Sequence, residues 1–294
     1  LQELPFPAHG LGPGKTDFGF SPRWRLWLDQ NLSEFDRVLI HGLWQFPMYA
    51  TPHNARKRGV PYAVFPHGML DPWFNRQYPL KRWKKQFYWW LSEHRKLAGA
   101  SGVLFTCEEE RNLARQSFFP YRLPEKISPL GIPSPPPEPD TSPSPLLDGR
   151  PYLLFLGRIH EKKGIDLLLQ AYLEWSGRKN WDLVIAGPDQ APHLTHPYRN
   201  QAESGIHFVG MLTGDSKWQA LRKADAFILP SHQENFGIAV AEALAVGTPV
   251  LISNKVNIWK EVLDGQAGLV GEDTAVGTLD LLNKWQNLDP SQRS

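Results

Sequence analysis

The chain has 294 residues, 41% of them apolar and 21% charged, with a formal net charge of +2. That composition is typical of a soluble globular protein, and the length is comfortable for two domains. The single cysteine, Cys107, excludes an internal disulfide and fits a reducing, cytoplasmic compartment; no apolar run reaches membrane-span length, and the first residues carry no signal-peptide pattern.

Charge is distributed unevenly along the chain. Residues 1–100 hold 14 Lys/Arg against 7 Asp/Glu, a balance of +7, and residues 101–294 hold 18 against 23, a balance of −5, which restores the total of +2. A basic first part suits an anionic neighbour. In chain order, HGLGPGKTD (His9–Asp17) contains glycines but follows no strand, so it is not read as a phosphate loop. RVLIHG (Arg37–Gly42), PYAVFPHG (Pro61–Gly68) and GVLFTC (Gly102–Cys107) read as short apolar strands. Between the last two, Tyr78–Lys96 carries six Lys/Arg, one Glu and six aromatics. This basic amphipathic helix suits an anionic membrane surface, or else packs its aromatics in the core with its cations in water. Glu108–Glu110 reads as the charged first turn of a helix.

Eight prolines in the 17 residues Pro129–Pro145 exclude a helix or a central strand and mark a linker. Beyond it, PYLLFLG (Pro151–Gly157), WDLVIAG (Trp181–Gly187), IHFVG (Ile206–Gly210), AFILPS (Ala226–Ser231) and TPVLIS (Thr248–Ser253) alternate with helical patterns such as Gly164–Trp175. The expectation is an α/β protein with two Rossmann-like domains, over 1–128 and 146–294, joined by a linker over 129–145, whose parallel sheets are covered on both faces. Ligands of such sheets sit beyond the carboxyl ends of the strands, so Gly42, His67, Gly68, Gly157, Arg158, Gly187 and Gly210 are expected to face a cleft.

Two stretches carry chemistry. In FLGRIHEKKG (Phe155–Gly164), Gly157 turns the chain after a strand and Arg158 and Lys163 follow, two cations suited to a diphosphate; the dinucleotide fingerprint and the Walker pattern are both absent. In SHQENFGIAVAEALAVGTPV (Ser231–Val250), Glu234 lies in the turn, Gly237 permits close approach, and a helix starting near Phe236 carries Glu242 in its second turn. A carboxylate accepts two hydroxyl hydrogen bonds at once, as the vicinal diols of a sugar or ribose offer them. Glu234, the helix N-terminus with Arg158 and Lys163, and Glu242 thus match the hexose, the diphosphate and the ribose of a nucleotide sugar. There is no clustered Asp-x-Asp for a divalent ion and no recognised nucleic-acid module.

GRIHEKKGID, ILPSHQENFGIAVAEALAVGTPVL and DGQAGLV resemble the carboxyl-terminal half of family-4 retaining glycosyltransferases with the GT-B fold, whose E-x7-E motif is here Glu234 to Glu242. HGLW and PHGMLDPW resemble the amino-terminal, acceptor-side half of bacterial exopolysaccharide members. The resemblance implies that Glu234 contacts donor-sugar hydroxyls and Glu242 the ribose. It implies that Arg158 and Lys163 hold the diphosphate without a metal, helped by the amides of Phe236 and Gly237 beside Asn235, while Gly157 and Gly210 border the donor. His67 matches the histidine that reaches the reacting centre. The implied activity is retaining hexosyl transfer from a UDP- or GDP-sugar to a saccharide acceptor, lipid-linked or free, in surface-polysaccharide assembly on the inner membrane face, with no other cofactor. The family's first strand and Gly-rich loop and its last crossing helix have no counterpart here, and Leu130-Gly131 stands where Asn-Gly is common. Two alternatives remain at this level: an inactive nucleotide-sugar-binding protein, and a sugar phosphorylase or nucleotide-sugar hydrolase.

Overall fold

The computed structural model describes residues 16, 18–73, 75, 79–137, 149–199 and 204–293. The glycines of His9–Asp17, Tyr78 and the second half of the proline-rich stretch lie outside them. The chain divides into two compact units, Leu1–Pro129 and Leu130–Ser294.

The first unit runs α1 (Pro22–Asn31), β1 (Val38–His41), α2 (Phe46–Arg58), β2 (Tyr62–Phe65), α3 (Pro79–Tyr88), a π-helical turn (Trp89–Glu93), α4 (His94–Ala98), β3 (Gly102–Phe105), α5 (Glu108–Ala114) and β4 (Glu125–Ile127). Local chemistry sets the helix ends. Ser21 accepts the Trp24 N–H at 3.3 Å to cap α1, with Pro22 at the first helical position, and Gly59 ends α2 in a left-handed conformation. The four strands are parallel in the order β1-β2-β3-β4. One sheet face, with Ile40, Tyr62, Val64, Val103 and Phe105, packs into a core with Leu28, Met48, Trp89 and Leu97 from the helices.

The other face corrects an expectation. Leu39, on the same side as Ala63 and Leu104, is 58% exposed, so this sheet is not covered on both faces. Apolar runs of four residues do not show which face lacks a cover.

The second unit runs β5 (Tyr152–Leu156), a 3-10 turn (Glu161–Lys163), α6 (Ile165–Glu174), β6 (Asp182–Ala186), α7 (Pro192–Arg199), β7 (Ile206–Gly210), α8 (Gly214–Lys223), β8 (Ala226–Leu229), α9 (Ile238–Ala245), β9 (Val250–Ser253), α10 (Trp259–Asp264), β10 (Gly268–Gly271) and α11 (Ala275–Asn287). Its six parallel strands are ordered β10-β9-β8-β5-β6-β7, and every residue of β5, β6, β8 and β9 is buried. These are the continuous apolar strands of a doubly covered sheet.

The order reverses at one place. From β5 the chain builds outward through β6 and β7, then returns to lay β8 on the other side of β5. The loops after β5 and β8 therefore leave in opposite directions and open a crevice at their carboxyl ends. The two loops also touch. Gly164 has φ +63°, and a Cβ there would lie 2.0 Å from the Pro230 carbonyl oxygen. The His232 N–H donates to the Lys162 carbonyl at 2.9 Å.

Gly164→Ala is therefore expected to destabilise the second unit by more than about 1 kcal/mol, through strain in φ and displacement of the β8 loop. Gly247→Ala is the control, since Gly247 has φ +80° and nothing within 4 Å of its added Cβ. Urea unfolding of both variants measures the difference. Equal losses would show that the approach to Pro230 carries no weight.

Candidate functional site

The loop after β5 is held from behind. The Gly157 N–H donates to the Ala186 carbonyl at 2.9 Å, and a Cβ on Gly187 would fall 1.8 Å from the Gly157 oxygen, so the turns after β5 and β6 pack backbone to backbone. Arg158 is exposed at the lip, with Nη1 3.4 Å from Gln190 Oε1. His160 caps the 3-10 turn by accepting the Lys162 N–H at 3.1 Å, and Gly164 closes it. This turn delivers Lys163 to the crevice, where Nζ hydrogen-bonds Glu234 Oε2 across the switch point. Burial, reinforced by the charges of Arg158 and Lys162, pushes the Lys163 ammonium down to about 8. The touching Glu234 carboxylate opposes that shift.

The loop after β8 is fixed just as firmly. Glu234 forms an isolated parallel bridge with Val256: its N–H donates to the Lys255 carbonyl and its carbonyl accepts the Asn257 N–H, both at 3.0 Å. Asn235 and Phe236 follow, half-buried. Gly237, at φ 73° and ψ 63°, is the N-cap of α9, and a Cβ there would crowd Val240 Cγ2 at 3.1 Å and Glu234 Cγ at 3.5 Å. The helix therefore begins at Ile238 rather than near Phe236. Its first internal bond runs from the Ala241 N–H to the Gly237 carbonyl at 3.1 Å, which leaves the amides of Ile238, Ala239 and Val240 without partners inside the helix. Glu242 lies about 6 Å further along the axis, is 7% exposed, and accepts from Lys217 Nζ of α8 at 2.7 Å.

The switch point thus gathers Gly157, Arg158, Lys163, Glu234, Asn235, Phe236 and Gly237, with Glu242 behind them on α9. Gly210 does not join this group. It ends β7, two strands away, and its carbonyl accepts the Gly187 N–H at 2.7 Å. Lys217 escaped the sequence reading because nothing in GDSKWQALRK separates a lysine that pairs inward from a solvated one.

In the first unit, His67 follows β2 at φ 51°, a left-handed conformation unusual for a residue with a side chain. Its Nε2 lies 2.8 Å from Nδ1 of His41, and the two rings stack with centroids 5.1 Å apart. Burial and the His41 charge lower the His67 pKa against the pull of Glu110. Glu110 belongs to the helical turn expected of Glu108–Glu110, but it is buried: Oε1 accepts the Gly68 N–H and Oε2 the Thr106 N–H, each at 2.7 Å. One carboxylate thereby ties the turn after β2 to the end of β3. Neither His41 nor Glu110 was singled out from sequence.

The basic helix divides its aromatics. Trp89 is fully buried, whereas Leu80 (88% exposed), Trp83 (69%), Phe87, Trp90 and Leu91 form an exposed stripe at helical spacing, with Lys81, Arg82 and Lys84 exposed around it. Among the described residues no helix is long and apolar enough to cross a membrane, and no group of three or more His, Cys, Asp or Glu could hold a metal ion.

The comparisons with known proteins agree on the family. The model "Glycosyl transferases group 1" matches residues 138–292, and "Glycosyl transferase 4-like domain" matches residues 1–129. D-inositol 3-phosphate glycosyltransferase of Acidothermus cellulolyticus is 31% identical over 158 residues, covering 48% of this chain. O-antigen chain mannosyltransferase B of Escherichia coli is 30% identical over 135 residues, covering 44% of this chain. The chain spans 34% of the length of each of these relatives. Among solved structures, Anabaena Alr3699/HepE in complex with UDP and glucose superposes with a TM-score of 0.70 at 17% identity, over 93% of this chain and 73% of that one. That likeness establishes the GT-B fold, and with the match over the second unit the chain belongs to the group 1 glycosyl transferases.

Proposed function

We propose that this protein moves a hexose from a nucleotide diphosphate sugar to a saccharide acceptor, with retention at the anomeric carbon and without a metal, in surface-polysaccharide assembly. The observation that carries the reading is the meeting of Lys163 and Glu234 at the β5/β8 switch point, beside the open amides of α9. Arg158, Lys163 and the amides of Ile238–Val240 receive the diphosphate and stabilise its charge as it leaves. Glu234 accepts hydroxyls of the transferred sugar, and Glu242, held by Lys217, accepts those of the ribose. The acceptor hydroxyl passes its proton to the departing diphosphate. The exposed stripe on α3 rests on an anionic membrane at the cytoplasmic side, which brings the enzyme to lipid-linked acceptors. The Escherichia coli mannosyltransferase named for O-antigen chains supports the polysaccharide role.

Calorimetry with UDP and GDP in buffer containing EDTA tests the donor site. Binding should persist in EDTA, and Glu242→Ala should weaken it about tenfold or more, since a hydrogen bond to a buried carboxylate contributes roughly 1.5–3 kcal/mol. A requirement for added metal, or unchanged affinity in a folded variant, contradicts the assignment.

Vesicle co-sedimentation tests the membrane face. The triple variant Lys81→Ser, Arg82→Ser, Lys84→Ser should lose on the order of a hundredfold in binding to anionic vesicles, at roughly 1 kcal/mol per cation. Lys85 is left intact because its Nζ packs 5.2 Å over the Trp44 ring. Equal sedimentation of variant and wild type rules out an electrostatic membrane contact.

A further inference from the structure

Lys163 and Glu234 pair with each other across the switch point. Nζ of Lys163 meets Oε2 of Glu234, with side-chain exposures of only 20% and 18%. Their backbones are locked from both sides, Glu234 by the bridge to Val256 and Lys163 by the Gly164–Pro230 approach and the His232–Lys162 hydrogen bond. The pair can therefore separate by side-chain rotation alone, with the two loops in place.

We infer that this ion pair is an internal competitor that makes the site discriminate the intact nucleotide sugar from the nucleoside diphosphate it becomes. The inference rests on the donor site proposed above. A nucleotide sugar satisfies both partners at once: its phosphates take Lys163 and its hydroxyls take Glu234. A bare nucleoside diphosphate can take only Lys163. It leaves the Glu234 carboxylate without its cation in a half-buried crevice, where losing a charged partner is costly. After transfer the sugar is gone, Lys163 returns to Glu234, and the diphosphate is expelled. Glu234 thus acts on the product as well as on the donor, and it acts on the product by reclaiming Lys163.

The consequence runs against the usual result of deleting a binding-site residue. Glu234→Gln keeps the size of the side chain and removes its charge, so it should tighten UDP or GDP binding by at least about threefold. The same change should weaken the matching nucleotide sugar, collapsing the preference between them. In a Lys163→Met background Glu234→Gln should leave diphosphate affinity unchanged, because the competitor has lost its target. Calorimetry with UDP, GDP, UDP-glucose and GDP-mannose on the four proteins of this cycle reads the effect, with thermal unfolding as the check on folding and Glu234→Ala in reserve should the glutamine variant not fold. Tighter diphosphate binding that requires Lys163 supports the inference. Diphosphate binding that is equal or weaker in Glu234→Gln, or a gain that survives in the Lys163→Met background, overturns it and leaves the donor site standing. Failure of every nucleotide to bind wild type and variants alike overturns the donor site, and the inference with it.

Discussion

The second unit depends on the close approach of two loops at the point where its sheet reverses direction. A glycine at 164, in a left-handed conformation and in contact with the Pro230 carbonyl, lets the loop after β5 lie against the loop after β8. Everything chemical in the unit follows from that proximity. Lys163 precedes the glycine and Glu234 follows the proline by four positions, so their charges meet across a gap that the sheet holds open. The α9 amides lie just beyond.

Burial gives these charges their force. A surface Lys–Glu pair contributes little, about 0–1 kcal/mol, because water screens it. Lys163 and Glu234 are each about four-fifths covered, and Glu242 lies deeper still, at a side-chain exposure of 9%, with its partner Lys217 at 22%. A ligand that displaces such contacts must replace them in kind, which favours phosphates for the lysine and vicinal hydroxyls for the carboxylates. The first unit uses the same economy in another form. Buried Glu110 satisfies three donors from two segments and so fixes the turn that carries His67.

The second sheet was readable in the sequence because its central strands are continuous apolar runs that stop at glycine, at proline or at a polar residue. Two edge strands, one in each sheet, were not. GLVG (β10) has glycine at both ends and EKI (β4) is largely polar, so neither has an apolar run to announce it, and both form by pairing with a neighbour already in place. Among the candidate site residues, Arg158, Lys163, Glu234 and Glu242 were visible through residue type and position along a strand–turn–helix pattern. Lys217, His41 and Glu110 were not, since each acts through a partner between 25 and 42 residues away in sequence, and only the folded chain brings the two together. The exposed stripe Leu80–Leu91 was half-legible: basic and aromatic residues share one helical pattern, and packing decided that Trp89 goes inward while Trp83, Phe87 and Trp90 stay outside.

The central claim is that a nucleotide binds at the carboxyl ends of β5 and β8. A nitrogen-15 NMR titration of the full chain with UDP and with GDP tests it most directly, because each backbone amide reports its own surroundings. The expected result is that shifts concentrate in 157–164 and 231–242, with the amides of Ile238, Ala239 and Val240 among the largest. A second cleft in the same unit, of about 610 Å³ and lined by Thr248, Pro249, Gly268 and Trp285, lies at the opposite, amino ends of β9 and β10. Shifts gathered there, with the switch-point loops silent, would contradict the claim.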